Sequence, residues 1–261
     1  MTDERSGIEG DAPSQQLGTV RRKVSTRDPF SPFVPFDPAF KERVPGLFVF
    51  HAALASLHYP VRGMSMPALG DAAAAPPRSS RWVAAECGVY RGHALIAYAE
   101  LARRSGIPVH FYGLDTFSGL PVLSAVDREC LPTDAPALRE TLFADTSLDE
   151  VQRRIDEHGL GDCITLVAGE FETTLGRLPA TEFFFVSIDC DLHTPHLECL
   201  EYFYPRLIRG GIIYLDDYHS VEYPMARLAI DEFMRDKPEE MFHLRYGAEG
   251  KNQTKTFIVK F

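Results

Sequence analysis

The sequence predicts an α/β fold around a mostly parallel sheet, and three observations carry that prediction. From Ser80 onward, short apolar runs alternate with stretches of helical period. The runs Phe183 to Asp189 and Ile212 to Asp216 are nearly continuous in apolar residues, as parallel strands buried on both faces are. Between one such run and a helix-length segment stands Glu86-Cys87-Gly88-Val89-Tyr90-Arg91-Gly92, a glycine turn of the kind that joins a strand to a helix at a ligand-binding edge.

Taken in order, residues 1–27 are rich in Ser, Gly, Gln and charge and read as a disordered or loosely docked tail. Residues 28–80 read as an N-terminal helical cap. They interleave Pro29, Phe30, Pro32, Phe33, Pro35 and Phe36, continue through a helical stretch around Leu47 to His58, and end in the Ala/Pro-rich segment Asp71 to Pro77. Residues 81–261 form the main domain. Strands are placed at Trp82 to Glu86, Val109 to Asp115, Cys163 to Glu170, Phe183 to Asp189 and Ile212 to Asp216, with helices near Gly92 to Ser105, Ser147 to His158, Pro195 to Arg209 and Met225 to Arg235. Two final runs, Phe242 to Tyr246 and Lys255 to Phe261, have no helix between them and read as an antiparallel pair, bringing the sheet to seven strands. This is the order of the S-adenosylmethionine-dependent methyltransferase fold, a Rossmann-like arrangement. One connection, near 119–146, is too long for a βα link, is interrupted by Pro121, Pro132 and Pro136, and reads as a lid over substrate.

Composition narrows the function. A chain of 261 residues, 45% of them apolar, suits one decorated domain with a large core. The net charge of −10 is spread along the chain, which argues against nucleic acid or an anionic membrane as partner. Five cysteines at irregular spacing, with no CxxC, fit reduced thiols in the cytoplasm, and no stretch has the roughly 18 consecutive apolar residues of a membrane span.

In the glycine turn, Gly88 and Gly92 let a ligand approach the backbone while the following helix directs its amides at it. A pyrophosphate would exploit those amides, yet the last glycine of a GxGxxG fingerprint is missing and Glu86 would face an anion badly. An acid there suits a cationic cofactor such as S-adenosylmethionine, with its ammonium and sulfonium. Asp115, at the end of the next strand, is placed to accept bonds from ribose hydroxyls.

Asp189, Asp191, Asp216 and Asp217 crowd the ends of two adjacent strands, where like charges need a cation or protons to compensate. Magnesium suits such oxygen ligands because it keeps waters that a substrate hydroxyl can replace. Alternation places Asp189 and Asp191 on one face, one to bind metal and the other to act as base. His193, His196 and His219 lie close enough in sequence to be ligands, bases or hydrogen-bonded bystanders, and Tyr218 reads as wall.

These pieces together resemble the TylF/macrocin O-methyltransferase family, metal-dependent enzymes that methylate sugar hydroxyls on antibiotics. The resemblance runs through ECGVYRG at Glu86 to Gly92, YGLDTFSGLP at Tyr112 to Pro121, GEFETTL at Gly169 to Leu175, SIDCDLHTP at Ser187 to Pro195, YFYPRLIRGG at Tyr202 to Gly211 and DDYH at Asp216 to His219. It implies a class I methyltransferase fold, a homodimer or higher homo-oligomer, Asp189, Asp216 and Asp217 as magnesium ligands and Asp191 as general base. It also implies donor contacts from Glu86, Asp115, Ser118, Gly169, Glu170 and Phe171. The chain departs from the family pattern at His193, commonly Tyr, and from His219 to Tyr223, and these departures bear on the acceptor.

The expected reaction is transfer of the sulfonium methyl of S-adenosylmethionine to a sugar hydroxyl of a small-molecule glycoside. A catechol or other aromatic vicinal diol meets the same metal geometry, and the cap phenylalanines Phe30, Phe33, Phe36, Phe48 and Phe50 are compatible with an aromatic or apolar group. A nicotinamide-dependent oxidoreductase would use the same first strands but leaves Glu86 and the four aspartates unexplained. A silent binding module would not need the acidic cluster.

Overall fold

The computed structural model describes residues 46–58, 81–131, 142–246 and 253–261. The expected tail 1–27 lies outside them, as do the expected cap 28–80 apart from one helix, residues 132–141 of the expected lid, and the turn at 247–252. That helix, α1 (Gly46–His58), is followed by β1 (Trp82–Cys87), α2 (His93–Arg104), β2 (Val109–Asp115), α3 (Ala125–Cys130), α4 (Leu148–Glu157), β3 (Ile164–Ala168) and the single turn α5 (Phe171–Thr174). Then come β4 (Phe183–Ile188), α6 (His193–Phe203), β5 (Leu207–Leu215), α7 (Pro224–Met234), β6 (Met241–Tyr246) and β7 (Gln253–Val259).

The seven strands lie in the order β3-β2-β1-β4-β5-β7-β6. β1 to β5 run parallel and β7 runs antiparallel to both of its neighbours. Chain order reverses between β1 and β4, so the crevice beyond their C-terminal ends is where an open sheet of this type receives a ligand. β4 (FFFVSI) is buried along its whole length, consistent with layers on both faces.

Alternation along the strands sorts the core into two layers. Ala84, Phe111, Phe185 and Tyr214 belong to the layer under α1, α2 and α4. Ala85, Cys87, Val186, Ile188, Ile213 and Leu215 belong to the layer under α6 and α7. α1 is apolar over most of its length and buries Leu47, Val49, Phe50, Ala53 and Leu54. The Phe50 ring meets Tyr98, Phe111 and Phe185 at centroid distances of 5.1, 5.7 and 4.9 Å, contacts worth about 0.5–1.5 kcal/mol each beyond the area they bury. Phe50 is therefore core, whereas Phe48 is exposed.

The largest departures from expectation lie around one helix and in the long connection. The helix expected over Pro195 to Arg209 begins earlier, at His193, and stops at Phe203. Pro205 then sits in a short 3-10 turn, Tyr204–Arg206, because its missing N–H and fixed ring end the α-helical ladder, and by Leu207 the chain is already strand. Within the long connection, the six-residue α3 arises where no element was expected. Ser124 and Asp127 form a reciprocal capping box there, each side chain meeting the other residue's backbone N–H.

Candidate active site

The crevice opens where β1 ends. Gly88 has φ +89°, and a Cβ on it would lie 1.7 Å from the carbonyl oxygen of Asp189, so only glycine lets the ends of β1 and β4 approach this closely. Beyond it the turn is held from β2. Asp115 Oδ2 accepts from the backbone N–H groups of Val89 and Tyr90, 2.7 Å each, and Asp115 Oδ1 accepts from that of Phe117, also 2.7 Å. Tyr90 and Phe117 have φ values of 47° and 53°, a backbone state costly for non-glycine residues, and both donate to this one carboxylate.

Beside this turn lies a cavity of about 400 Å³, lined also by Gly169, Glu170, Phe171, Asp189 and Asp191. Tyr90 and Phe143, in edge-to-face contact at 5.2 Å, wall it on one side together with Leu120 and Pro121. Asp115, Asp127, Glu170, Glu172, Asp189, Asp191 and Glu198 line it, and no lysine or arginine does so among the described residues. Such a lining favours a cationic or neutral ligand over a pyrophosphate.

Gly88, Asp115, Gly169, Glu170 and Phe171 thus lie on the cavity, whereas three other expected donor contacts do not. Glu86 is 2% exposed and sits two residues after Ala84 on the same face of β1, the face covered by α1 and α2. Burial first, then the charge of Asp115, pushes its carboxyl well above the usual range, and Oε2 has no hydrogen-bond partner among the described residues. Gly92 instead makes room for α4, where an added Cβ would come within 2.9 Å of Val151. Ser118 is exposed on the outer turn, its N–H given to Thr116 Oγ1 at 3.2 Å.

On the β4 side of the cavity, which Asp189 and Asp191 line, these two and Asp217 each offer a carboxylate oxygen within 4.8 Å of the others. Asp191 has φ 62°, and its N–H donates to Asp217 Oδ2 at 3.0 Å. Burial and then neighbouring carboxylates push all three acids up: Asp217 to about 7, Asp189 and Asp191 well above their usual range. Three oxygen donors, close together and short of positive charge, fit a hard divalent cation.

Asp216 is not in this group. It follows Tyr214 on the other face of β5, accepts a 2.7 Å hydrogen bond from the Tyr214 hydroxyl and pairs with Lys255 of β7. Sequence adjacency suggested that Asp216 and Asp217 act together, but consecutive residues at a strand end diverge. Two of the neighbouring histidines also find other partners: His193 Nε2 lies 3.3 Å from Glu232, and His219 Nε2 lies 3.4 Å from His243.

Asp127 escaped the sequence reading. It is buried at the cavity wall, its Oδ1 accepting the His193 N–H at 2.9 Å and its Oδ2 the Ser124 N–H at 2.8 Å, so it ties the long connection to the start of α6. The Ser124-x-x-Asp127 spacing was the available signal, masked by the surrounding prolines. All five cysteines are free thiols, three of them, Cys87, Cys190 and Cys199, buried.

Fold and site together define a class I methyltransferase architecture. NovP, an O-methyltransferase of solved structure, superposes with a TM-score of 0.57 at 24% identity, over 69% of this chain and 71% of its own. The calicheamicin methyltransferase CalS11 superposes with a TM-score of 0.58 at 18% identity, over 97% and 99%. Residues 83–243 match the macrocin-O-methyltransferase (TylF) family, and the chain belongs to it. A tetracenomycin-C 4'-O-methyltransferase of Streptomyces olivaceus, whose name specifies a dimethoxy-rhamnosyl substrate, is 27% identical over 51% of each chain. Demethyldecarbamoylnovobiocin O-methyltransferase of Streptomyces niveus is 29% identical over 57% of this chain and 56% of its own. The chain spans about half the length of the curated relatives it matches.

Proposed function

We propose that the protein transfers a methyl group from S-adenosylmethionine to a sugar hydroxyl of a glycosylated natural product, with magnesium at the acidic cluster. The observation that carries this reading is the convergence of Asp189, Asp191 and Asp217 beside a cavity that Gly88 and Asp115 also line. Family membership and the rhamnosyl substrate named for the Streptomyces olivaceus relative support the sugar acceptor.

In this reading the Gly88 backbone, which lines the cavity, faces the donor's amino-acid tail, the acidic lining attracts its ammonium and sulfonium, and Asp115 exchanges backbone partners for ribose hydroxyls. Asp189 and Asp217 would hold the ion. A bound divalent cation would hold an acceptor hydroxyl and make it more acidic. Asp191 lines the cavity, has a raised proton affinity and takes the hydroxyl proton as the oxygen attacks the methyl carbon. The oxygen–methyl bond forms as the sulfur–methyl bond breaks, its electron pair going to sulfur. Alignment of the reacting atoms by the cavity walls contributes up to about 7–11 kcal/mol in well-held systems.

Calorimetric titration with S-adenosylmethionine in magnesium buffer tests the reading, with micromolar binding as the expected result. Tighter binding of NADH would remove it in favour of an oxidoreductase. The paired rings of Tyr90 and Phe143 favour one second reading, an aromatic vicinal diol as acceptor. Turnover of a catechol but not of a rhamnoside would select it.

A further inference from the structure

Behind the acidic cluster, on the first turns of α6, lies a histidine that the reaction above leaves without a role. His196 is 0% exposed. Its Nδ1 lies 2.9 Å from the carbonyl oxygen of Leu192 and 3.4 Å from the Cys190 sulfur. A carbonyl can only accept, so Nδ1 carries a proton and the ring orientation is fixed from that side. The opposite nitrogen, Nε2, is buried with no hydrogen-bond partner among the described residues and points at Asp217, 3.7 Å from Oδ2. That same Oδ2 accepts the Asp191 N–H. One carboxylate oxygen therefore has the Asp191 backbone and the His196 ring edge as neighbours.

We propose that His196 is a positioning residue for the ion site, fixing the direction in which Asp217 presents its carboxylate to Asp189 and Asp191. The ring is suited to this. It is rigid, anchored at Nδ1 to the backbone of Leu192, the residue that caps its own helix, and enclosed by the layer that buries Cys190, Cys199 and Leu200. Its ring edge stops 3.7 Å from Asp217 Oδ2, a packing contact and not a hydrogen bond, so it limits the room that carboxylate has to turn without joining the cluster. Groups in this place behind a ligand govern affinity because a carboxylate free to rotate must be ordered when the ion binds. The inference rests on the ion reading above, and its test separates the two.

The measurement is Mn2+ binding by electron paramagnetic resonance of the free ion, on the full chain without donor or acceptor. His196→Asn keeps a donor near the Nδ1 position and has nothing at Nε2, while His196→Gln reaches as far as Nε2. The Asn variant is expected to lose on the order of 10- to 100-fold in Mn2+ affinity, the Gln variant to recover most of it, and both to keep wild-type affinity for S-adenosylhomocysteine. Recovery by Gln alone is not what simple loss of packing would give, and thermal melts of both variants check the fold. Equal Mn2+ affinity in the wild type and a folded Asn variant overturns the positioning role alone, as does equal loss in both variants. Wild-type protein that binds no Mn2+ overturns the ion reading and this inference with it.

Discussion

Asp115 and Asp217 both stand where a parallel strand has just ended, yet the two halves of the crevice treat them oppositely. Asp115 is surrounded by donors: the N–H groups of Val89, Tyr90 and Phe117 all point at its carboxylate. Asp217 is surrounded by acids, and burial with Asp216 beside it raises its carboxyl to about 7. The first half of the site is built by backbone geometry around a satisfied anion. The second is built from crowded carboxyls with few donors, Asp217 accepting the Asp191 N–H, and in the proposed reading that crowding is what draws a cation. A charge already compensated by amides organises a loop, whereas charges without compensation create a place for a cation.

The two halves touch at Gly88, and the largest effect should come from breaking that contact. Gly88→Ala sets a Cβ against the Asp189 carbonyl in a positive-φ conformation. We expect a cost of about 4 kcal/mol or more and a melting temperature lower by roughly 8–16 °C, read by differential scanning fluorimetry.

Asp191→Asn addresses the acidic half alone. Turnover should fall by about 10²–10⁴ while donor affinity holds. Mn2+ affinity sharpens the assignment: retained affinity marks Asp191 as the base, and a parallel loss would make it a third ligand. Asp115→Ala addresses the other half. It should abolish donor binding by calorimetry and cost about 1.5–3 kcal/mol of stability, the scale of a lost charge-assisted hydrogen bond, because the turn at Val89 and Tyr90 loses its acceptor.

A smaller effect separates the halves by pH. In the ion-free chain Asp217 keeps its proton up to about pH 7, while an unfolded chain releases it near the ordinary 3.8. Between these values the folded state holds more protons, so this residue's contribution makes stability fall as pH rises from about 4 to about 7. A divalent ion needs the deprotonated form, so magnesium should raise the melting temperature more at pH 8 than at pH 6. Asp217→Asn should flatten that difference. The smallest effect is expected at Asp216. With its carboxylate committed to Lys255 and Tyr214, Asp216→Asn should weaken Mn2+ binding less than Asp217→Asn does. An equal loss would return Asp216 to the ligand set that family resemblance assigns it.

Much of this was legible in the residues. The strands at Trp82, Val109 and Phe183 are where period and apolar content placed them, because a strand buried on both faces has few polar positions to obscure it. The helix after Pro195 was read too long, since apolar and aromatic residues recur on both sides of Pro205 (Leu200, Tyr202, Phe203, Tyr204, Leu207 and Ile208) and only the packed sheet assigns the stretch from Leu207 to β5. Asp127 went unread because a six-residue helix carries too little periodicity to stand out among prolines.

By itself the sequence determined the α/β class, the order of elements, the glycine turn at Gly88 and the acids at the ends of β2, β4 and β5. All of these follow from local pattern and strand alternation. Only the tertiary structure decided that Glu86 lies under α1 instead of on the cavity, that Lys255 takes Asp216, and that His196 stands behind Asp217. Each of those depends on which residues distant in the chain share a face of the sheet. Periodicity gives a side chain its direction, but the partner waiting there is fixed by strand order and register.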